Sequence, residues 1–145
     1  MFSAKFFTKL GANVRDKYRK HIFDDGKDVN DDLFKEYSDE YGEQKRANSF
    51  KRQDSKYASK ISPVLTGDLM RDLALSKVTN TGFFIGWNVW GSKVISLNKQ
   101  GREITTKDKP LPDSVVKFMD KKAESYIHKT HIKPNCKTTK HKIGK

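Results

Sequence analysis

The sequence predicts an α+β fold, a small antiparallel sheet packed by an N-terminal and a C-terminal amphipathic helix, with a long polar arm. Three observations support this prediction. Apolar residues recur at helical spacing near both ends of the 145-residue chain. Two short apolar runs flank a glycine-containing turn in the middle, and residues 24–62 are polar and lack a regular period.

The first helix is predicted over residues 4–23. Its apolar residues recur every three or four positions and form one stripe, whereas charged residues cover the remaining surface. The stripe consists of Phe7, Leu10, Val14, Tyr18 and Ile22. The sequence Asp-Asp-Gly at residues 24–26 ends this helix.

The polar arm contains one predicted helix. Ser38 is expected to cap its N-terminus, and the helix continues to Arg46. Glu40 and Glu43 lie in its early turns, and Lys45 precedes Arg46 at its end, which is the charge order that a helix dipole favours.

The middle of the chain predicts a short helix followed by a hairpin. Thr66 is expected to cap the helix, in which Leu69, Met70 and Leu73 face inward. Residues 75–79 and 83–89 are predicted strands joined by residues 80–82. We expect Gly82 to adopt the left-handed conformation of a three-residue hairpin loop.

The last third predicts a second amphipathic helix. Residues 94–98 fit a two-turn helix ended by Gly101 about as well as a strand, and the basic last turn favours the helix. Residues 102–106 are compatible with a further strand. Pro112 then opens a helix whose apolar stripe is Val115, Val116, Met119, Ala123, Tyr126 and Ile127.

The chain is strongly basic, with 30 Lys and Arg against 18 Asp and Glu and a formal net charge of +12. Six lysines and no acids lie between residues 125 and 145, so half of the excess belongs to a tail. We therefore expect one domain, residues 1–128, with residues 24–62 as its arm, followed by a basic tail, residues 129–145. Such a tail attracts polyanions without reading sequence, or serves only as a solvated extension.

The cysteine content and the hydropathy of the chain indicate in which compartment the protein is expected. Cys136 is the single cysteine, so an intramolecular disulfide is excluded. No apolar run approaches the roughly 20 residues that span a bilayer, and residues 1–10 lack the apolar region of a secretory signal. These observations predict an intracellular or virion-type soluble protein with no membrane partner.

The sequence contains no recognisable catalytic or cofactor motif. Asp24-Asp25 and Asp31-Asp32 lack the ligand order of an EF-hand and are interpreted as turn and cap residues. The spacing of the possible zinc ligands matches no compact structural site, and the surrounding lysines disfavour a dication. We therefore expect no metal, no cofactor and no enzymatic activity. The zinc ligands considered are His128, His131, Cys136 and His141.

Basic and aromatic residues alternate in the second half of the arm. This pattern can follow a nucleic-acid backbone and stack on bases, so a small basic nucleic-acid-binding protein is one hypothesis. The other is an arm whose aromatic side chains fill pockets on a neighbouring subunit, and it is favoured because no groove-binding motif accompanies the charges. The residues are Lys45, Arg46, Lys51 and Arg52, with Phe50 and Tyr57.

The order of several short motifs resembles the tailed-phage virion morphogenesis or tail-completion family. Residues 22–24 are followed by the aromatic segment 34–41, a basic stretch, the Leu-Thr-Gly segment 63–69, the hairpin 76–87 and a glycine-terminated segment 94–101. The resemblance covers residues 4–127. The motif residues are Leu65, Thr66, Gly67, Leu69 and Gly101. Many relatives continue with a Pro-x-Arg-Pro-aromatic motif, whereas this chain has Lys-Asp-Lys-Pro-Leu-Pro at residues 107–112.

The resemblance implies a non-enzymatic structural protein of the virion, assembled in the host cytoplasm. It would form a ring, commonly sixfold, around the DNA channel at the neck or the proximal end of the tail. Its neighbours would be a connector, a tail terminator or a tail tube. The expected inter-subunit contacts are Phe34, Tyr37, Tyr41, Phe50 and Tyr57. The candidates for DNA in the channel are Lys45, Arg46, Lys51, Arg52, Lys129, Lys133, Lys137, Lys140 and Lys142.

Overall fold

The structure is a computed structural model that describes residues 2–61, 63, 64 and 66–129, and it confirms the α+β class. A long N-terminal helix, α1, continues into a π-helical turn, and a two-stranded sheet and shorter helices follow. The bounds are α1 Ala4–Arg19, the π-helical turn Lys20–Asp24, α2 Asp39–Arg46, a 3-10 turn Ser55–Tyr57, α3 Asp68–Asp72, β1 Leu73–Ser76, β2 Phe84–Trp87, α4 Gly91–Lys99 and α5 Asp113–Ile127.

Helix α1 is the centre of the core. Ser3 caps it by accepting a hydrogen bond from the backbone amide of Phe6. Most of the predicted apolar stripe is buried, with Val14 and Ile22 fully covered. The hydroxyl of Tyr18 donates to the carbonyl oxygen of Ile104 at 2.8 Å, so the helix is joined to the C-terminal half by a buried hydrogen bond.

The predicted hairpin is present, but its strands are displaced. Strands β1 and β2 pair antiparallel, with Leu73 opposite Trp87 and Ser76 opposite Phe84. Residues 77–83 connect them, and Lys77 rather than Gly82 has the positive φ angle, 52°. The longer connection reaches α1, where the side chain of Asn80 accepts a hydrogen bond from the amide of Ala4.

The helix expected before Gly101 is present as α4, and Gly101 follows it with a φ of 84°. The possible strand at residues 102–106 does not form. Instead the side chain of Asn98 accepts from the amide of Ile104 at 2.9 Å and donates to the carbonyl of Thr105 at 2.7 Å. A single side chain therefore occupies the backbone groups that a neighbouring strand would need.

Helix α5 begins after Pro112, as predicted, and packs against α1. The rings of Phe6 and Tyr126 lie 4.1 Å apart between the two helices, and Val115 is fully buried. None of the helices in the described part of the chain is long and apolar enough to cross a bilayer.

Residues 24–61 fold against the domain, so the prediction of an extended arm is wrong for this segment. Val29, Phe34 and Tyr57 are buried, and the amide of Val29 donates to the carbonyl of Glu103 at 2.9 Å. These apolar residues are spaced too widely to give a helical or strand period. The sequence pattern therefore contained no signal for their burial.

Candidate functional site

A surface cleft of about 880 Å³ lies where three segments of the chain meet. They are the segment leading into α2, the loop before α3, and α4 with the turn after it. Three of the segments that carry the family resemblance, residues 34–41, 63–69 and 94–101, therefore contribute to it. We name this feature the motif cleft. Its apolar and aromatic lining includes Val64, Leu69, Leu97, Tyr37, Tyr41 and Trp90.

Three of the predicted contact residues form one aromatic cluster beside the motif cleft. The ring of Tyr41 lies 4.7 Å from that of Tyr37 and 5.3 Å from that of Phe50, measured between centroids. All three side chains are partly buried, and both tyrosines line the cleft. Tyr37 and Tyr41 are therefore the predicted contact residues that a docked partner can reach in this cleft.

Phe34 and Tyr57 are not available for such contacts, and their assignment as inter-subunit contacts is wrong. Phe34 is 6% exposed and Tyr57 2% exposed, and both belong to the main hydrophobic core. The hydroxyl of Tyr57 donates to a carboxylate oxygen of Asp24. Burial and this carboxylate raise the pKa of Tyr57 to about 12.

Lys45 was a candidate for DNA, and that assignment is also wrong. Its side chain is 1% exposed, and its ammonium group donates to the carbonyl of Lys60 at 2.9 Å and to the hydroxyl of Tyr37 at 3.2 Å. Burial and the nearby guanidinium of Arg102 lower the pKa of Lys45 to about 8. The Lys45 side chain therefore contacts the aromatic cluster from inside the domain.

Arg102 is a functional candidate that the sequence reasoning missed. Its guanidinium lies 4.8 Å from the centroid of the Tyr37 ring, and one terminal nitrogen donates to the carbonyls of Lys35 and Glu36 at 3.3 and 3.4 Å. Within the described residues, Nε of Arg102 is buried without a hydrogen-bond partner. The available signal was its position directly after Gly101, which has a φ of 84° at the end of α4.

The Leu-Thr-Gly motif shapes the loop before α3. Gly67, with a φ of 87°, occupies the N-cap position expected for Thr66, so that prediction is wrong by one residue. The Thr66 hydroxyl instead accepts from the amide of Asp68 at 3.4 Å. Leu69 is 8% exposed and anchors α3 in the core, whereas Leu65 lies outside the described residues.

The motif cleft carries more positive than negative charge. Lys35, Lys93 and Arg102 line it, and the acidic lining residues are Glu36 and Asp68. Asp68 is already paired with Arg71 at 3.0 Å and with Arg52 at 3.9 Å. Hydrogen bonds from Arg71 and Thr66 hold the pKa of the Asp68 carboxyl below its usual value. An anionic partner therefore finds uncompensated cations in the cleft.

The remaining candidates for DNA fall into two groups. Arg46, Lys51, Arg52 and Lys129 are exposed, and Arg52 reaches Asp68 as described above. The others, Lys133, Lys137, Lys140 and Lys142, lie outside the described residues. The structure thus leaves a small exposed basic group on the domain, separate from the buried Lys45.

A polar cluster at the end of α1 holds an acidic loop, residues 28–33, in a defined shape. The Ser114 hydroxyl donates to the carboxylate of Asp31 at 2.6 Å, and His21, 5% exposed, contacts the carbonyl of Asp28 at 2.8 Å. Burial raises the pKa of Asp31, but the Ser114 hydroxyl and the nearby His21 and Lys27 outweigh it and lower that pKa.

This cluster fixes the backbone of the acidic loop. The Ser114 proton is directed at Asp31, while the Nδ1 atom of His21 lies 3.5 Å from the Ser114 oxygen. Asp28 accepts from the amides of Asn30 and Asp32 at 2.9 and 3.0 Å. These hydrogen bonds therefore hold the loop in one conformation. The sequence did not indicate this role, because Ser114 and Asp31 are more than 80 positions apart.

The zinc hypothesis involves three residues that lie outside the described residues, His131, Cys136 and His141, whereas His128 is exposed at the end of α5. Among the residues that the structure describes, no group of three or more His, Cys, Asp or Glu side chains is arranged to hold a metal ion.

Comparison with known proteins gave no match. No protein-family model, no curated protein and no solved structure matches this chain.

Proposed function

We propose that this protein is a structural virion protein of a tailed bacteriophage, a ring-forming subunit at the neck or the proximal end of the tail. The observation that carries the proposal is the convergence of the resemblance motifs. The aromatic segment, the Leu-Thr-Gly loop and the glycine-terminated helix are far apart in sequence, yet they line the same cleft. An aromatic-lined concave surface is suited to binding a protein partner.

The proposed partners are other copies of the chain in a ring, sixfold as in the family that it resembles, and adjacent connector, tail-terminator or tube proteins. The ring surrounds the genomic DNA, which exposed basic residues such as Arg46 and Lys51 contact without reading its sequence. The protein acts in the virion after assembly in the host cytoplasm, without enzymatic activity and without a cofactor.

The experiment that tests this function is deletion of the gene from the phage that encodes it, followed by electron microscopy of the particles. The expected products are DNA-filled heads and separate tails, and complementation with the intact gene restores joined virions. Joined, stable virions in the deletion strain would contradict the proposal.

The second candidate, a small basic nucleic-acid-binding protein, rests on the net charge of +12. The burial of Lys45 and the packing of Phe50 on Tyr41 weaken it, because both residues belonged to the predicted basic and aromatic surface. Head–tail joining that proceeds normally without the gene, together with tight duplex binding by the purified protein, would favour this candidate.

A further inference from the structure

We infer that the motif cleft binds the acidic loop, residues 28–33, of a second copy of the same chain, with Leu33 as the apolar anchor and Asp32 as the charged one. The inference rests on the proposed ring, for which it supplies the contact between subunits. Each copy presents both halves of this contact, so the contact can repeat from one copy to the next.

The acidic loop presents an apolar side chain that its own domain does not cover. Leu33 is 72% exposed, although its neighbours Val29 and Phe34 are buried. The residues that line the cleft begin two positions later, at Lys35. Asp32 beside it is exposed and makes no ion pair with any residue that the structure describes. A leucine flanked by a free carboxylate suits a pocket that is apolar inside and cationic at its rim.

The motif cleft has this character. Val64, Leu69 and Leu97 provide apolar lining, while Lys93 and Arg102 provide positive charge that the cleft's own carboxylates do not balance. Lys93 lies on the exposed surface of α4 and makes no ion pair within the described part of the chain. Opposite charges at the two surfaces favour the contact and set its orientation.

The loop is held in its shape before any partner arrives. The carboxylate of Asp28 accepts hydrogen bonds from the amides of Asn30 and Asp32. The amide of Phe34 donates to the carbonyl of Gly26, and the Ser114 hydroxyl donates to Asp31. A loop fixed in this way loses little conformational freedom on docking, which reduces the entropic cost of binding.

The test uses the full chain and two charge-reversal variants, Lys93→Glu in the cleft and Asp32→Lys in the loop. Sedimentation velocity over a concentration series measures self-association, and circular dichroism verifies that each variant is folded. Each variant alone places like charges in contact, so its association should weaken at least about tenfold. An equimolar mixture pairs each altered surface with its complement, so association should return.

Matched controls lie on the same helix. Lys99→Glu makes the same charge change on α4 outside the cleft and should leave association unchanged. Leu33→Ser should weaken association, whereas Ile95→Ser should not, because Ile95 is also exposed, at 58%, but does not line the cleft. A monomeric wild-type protein, equal effects of Lys93→Glu and Lys99→Glu, or no recovery in the mixture would each overturn the inference.

Failure of this contact and failure of the proposed function are distinguishable. Rings that persist in the Lys93→Glu and Asp32→Lys variants overturn the contact but agree with a neck or tail role. Cleft-dependent association that stops at a dimer supports the contact and contradicts the ring. Joined virions in the gene-deletion strain contradict the virion role whatever the sedimentation result.

Discussion

The ammonium group of Lys45 lies 4.9 Å from the centroid of the Tyr37 ring and 3.2 Å from its hydroxyl oxygen. A buried cation is thus joined to an aromatic side chain that lines the motif cleft. Because Lys45 contacts Tyr37, the ionisation of Lys45 affects both the stability of the domain and the position of a residue that lines the cleft.

Stability should rise with pH between pH 8 and pH 10 because of Lys45. The folded-state pKa of Lys45 is about 8, below the value of about 10.4 in an unfolded chain, so the unfolded state binds more protons in this interval. The free energy of unfolding should increase by about 2 kcal/mol across the interval relative to Lys45→Met. Urea unfolding of both proteins measures the difference, and Lys99→Met serves as the exposed control. Parallel pH profiles for wild type and Lys45→Met would contradict this assignment.

Replacing Phe34 with alanine should destabilise the fold far more than replacing Tyr41. Phe34 is 6% exposed within the core, and truncation of such a residue costs about 3–5 kcal/mol. Tyr41 is only partly buried at the edge of the cleft, so Tyr41→Ala should cost clearly less. Thermal and urea unfolding measure both. Similar losses of unfolding free energy in the two variants would contradict the placement of Phe34 in the core.

Gly67 should not tolerate a side chain, whereas Gly91 should. Gly67 has a φ of 87°, a backbone conformation that strains any L side chain, and a Cβ there would also displace the flexible Arg71 guanidinium, whose nearest nitrogen would lie 2.5 Å away. Gly67→Ala should therefore lower the free energy of unfolding by about 1–2 kcal/mol. Gly91 begins α4 with open space around it, so Gly91→Ala should be neutral or slightly stabilising. The two melting curves, compared with wild type, provide the measurement.

Asp72 should stabilise the fold because its carboxylate binds backbone amides directly before α4. Its carboxylate accepts from the amides of Val89 and Trp90, both at 2.9 Å. Asp72→Ala should cost about 1.5–3 kcal/mol because it removes two hydrogen bonds to a charged group. Asp120→Ala, an exposed change on α5, is the matched control and should have little effect. Equal urea midpoints for the two variants would refute this role.

DNA binding should depend on salt and on the basic tail. If the domain contacts DNA only through exposed cations, the logarithm of the binding constant should fall steeply with the logarithm of salt concentration. Removing residues 129–145 should make this slope shallower, and Arg46→Ala with Lys51→Ala should reduce it further. Titration of a fluorescent duplex at two salt concentrations measures the slope, and a random-sequence duplex should bind equally well. A marked sequence preference would contradict non-specific contact.

Several local features were predictable from the sequence, and long-range burial was not. The stripe on α1, the cap at Ser38 and the end of α4 before Gly101 depend on neighbours within a few residues, and the structure confirms them. The burial of Phe34 and Lys45 depends on partners from distant segments, and no periodicity reports such partners. Lys45 lies in a helix of mixed charge, which predicts a solvated side chain. Its acceptor is the backbone carbonyl of Lys60, and because every residue has such a carbonyl, the sequence does not indicate this partner.

The candidate site was predictable only in part. Residues of the Leu-Thr-Gly and aromatic motifs were identified, and they line one cleft, but Arg102 and Lys93 were not singled out. Both carry ordinary surface side chains whose significance comes from where the turn at Gly101 and the face of α4 place them. The interpretation of Asp31 and Asp32 as turn residues agrees with their place in the acidic loop. The role of Asp28, which accepts from two amides of that loop, was not predicted, and the exposure of Leu33 depends on the folded domain.

The buried hydrogen bond from Tyr18 to the carbonyl of Ile104 has a consequence for synthesis on the ribosome. The two residues are 86 positions apart, so Tyr18 is made roughly 4–17 s before its acceptor at ordinary elongation rates. During that interval the apolar stripe of α1 has neither α5 nor the 102–106 segment to cover it. The apolar stripe of α1 therefore stays uncovered for seconds during synthesis, although its residues belong to the core of the finished domain.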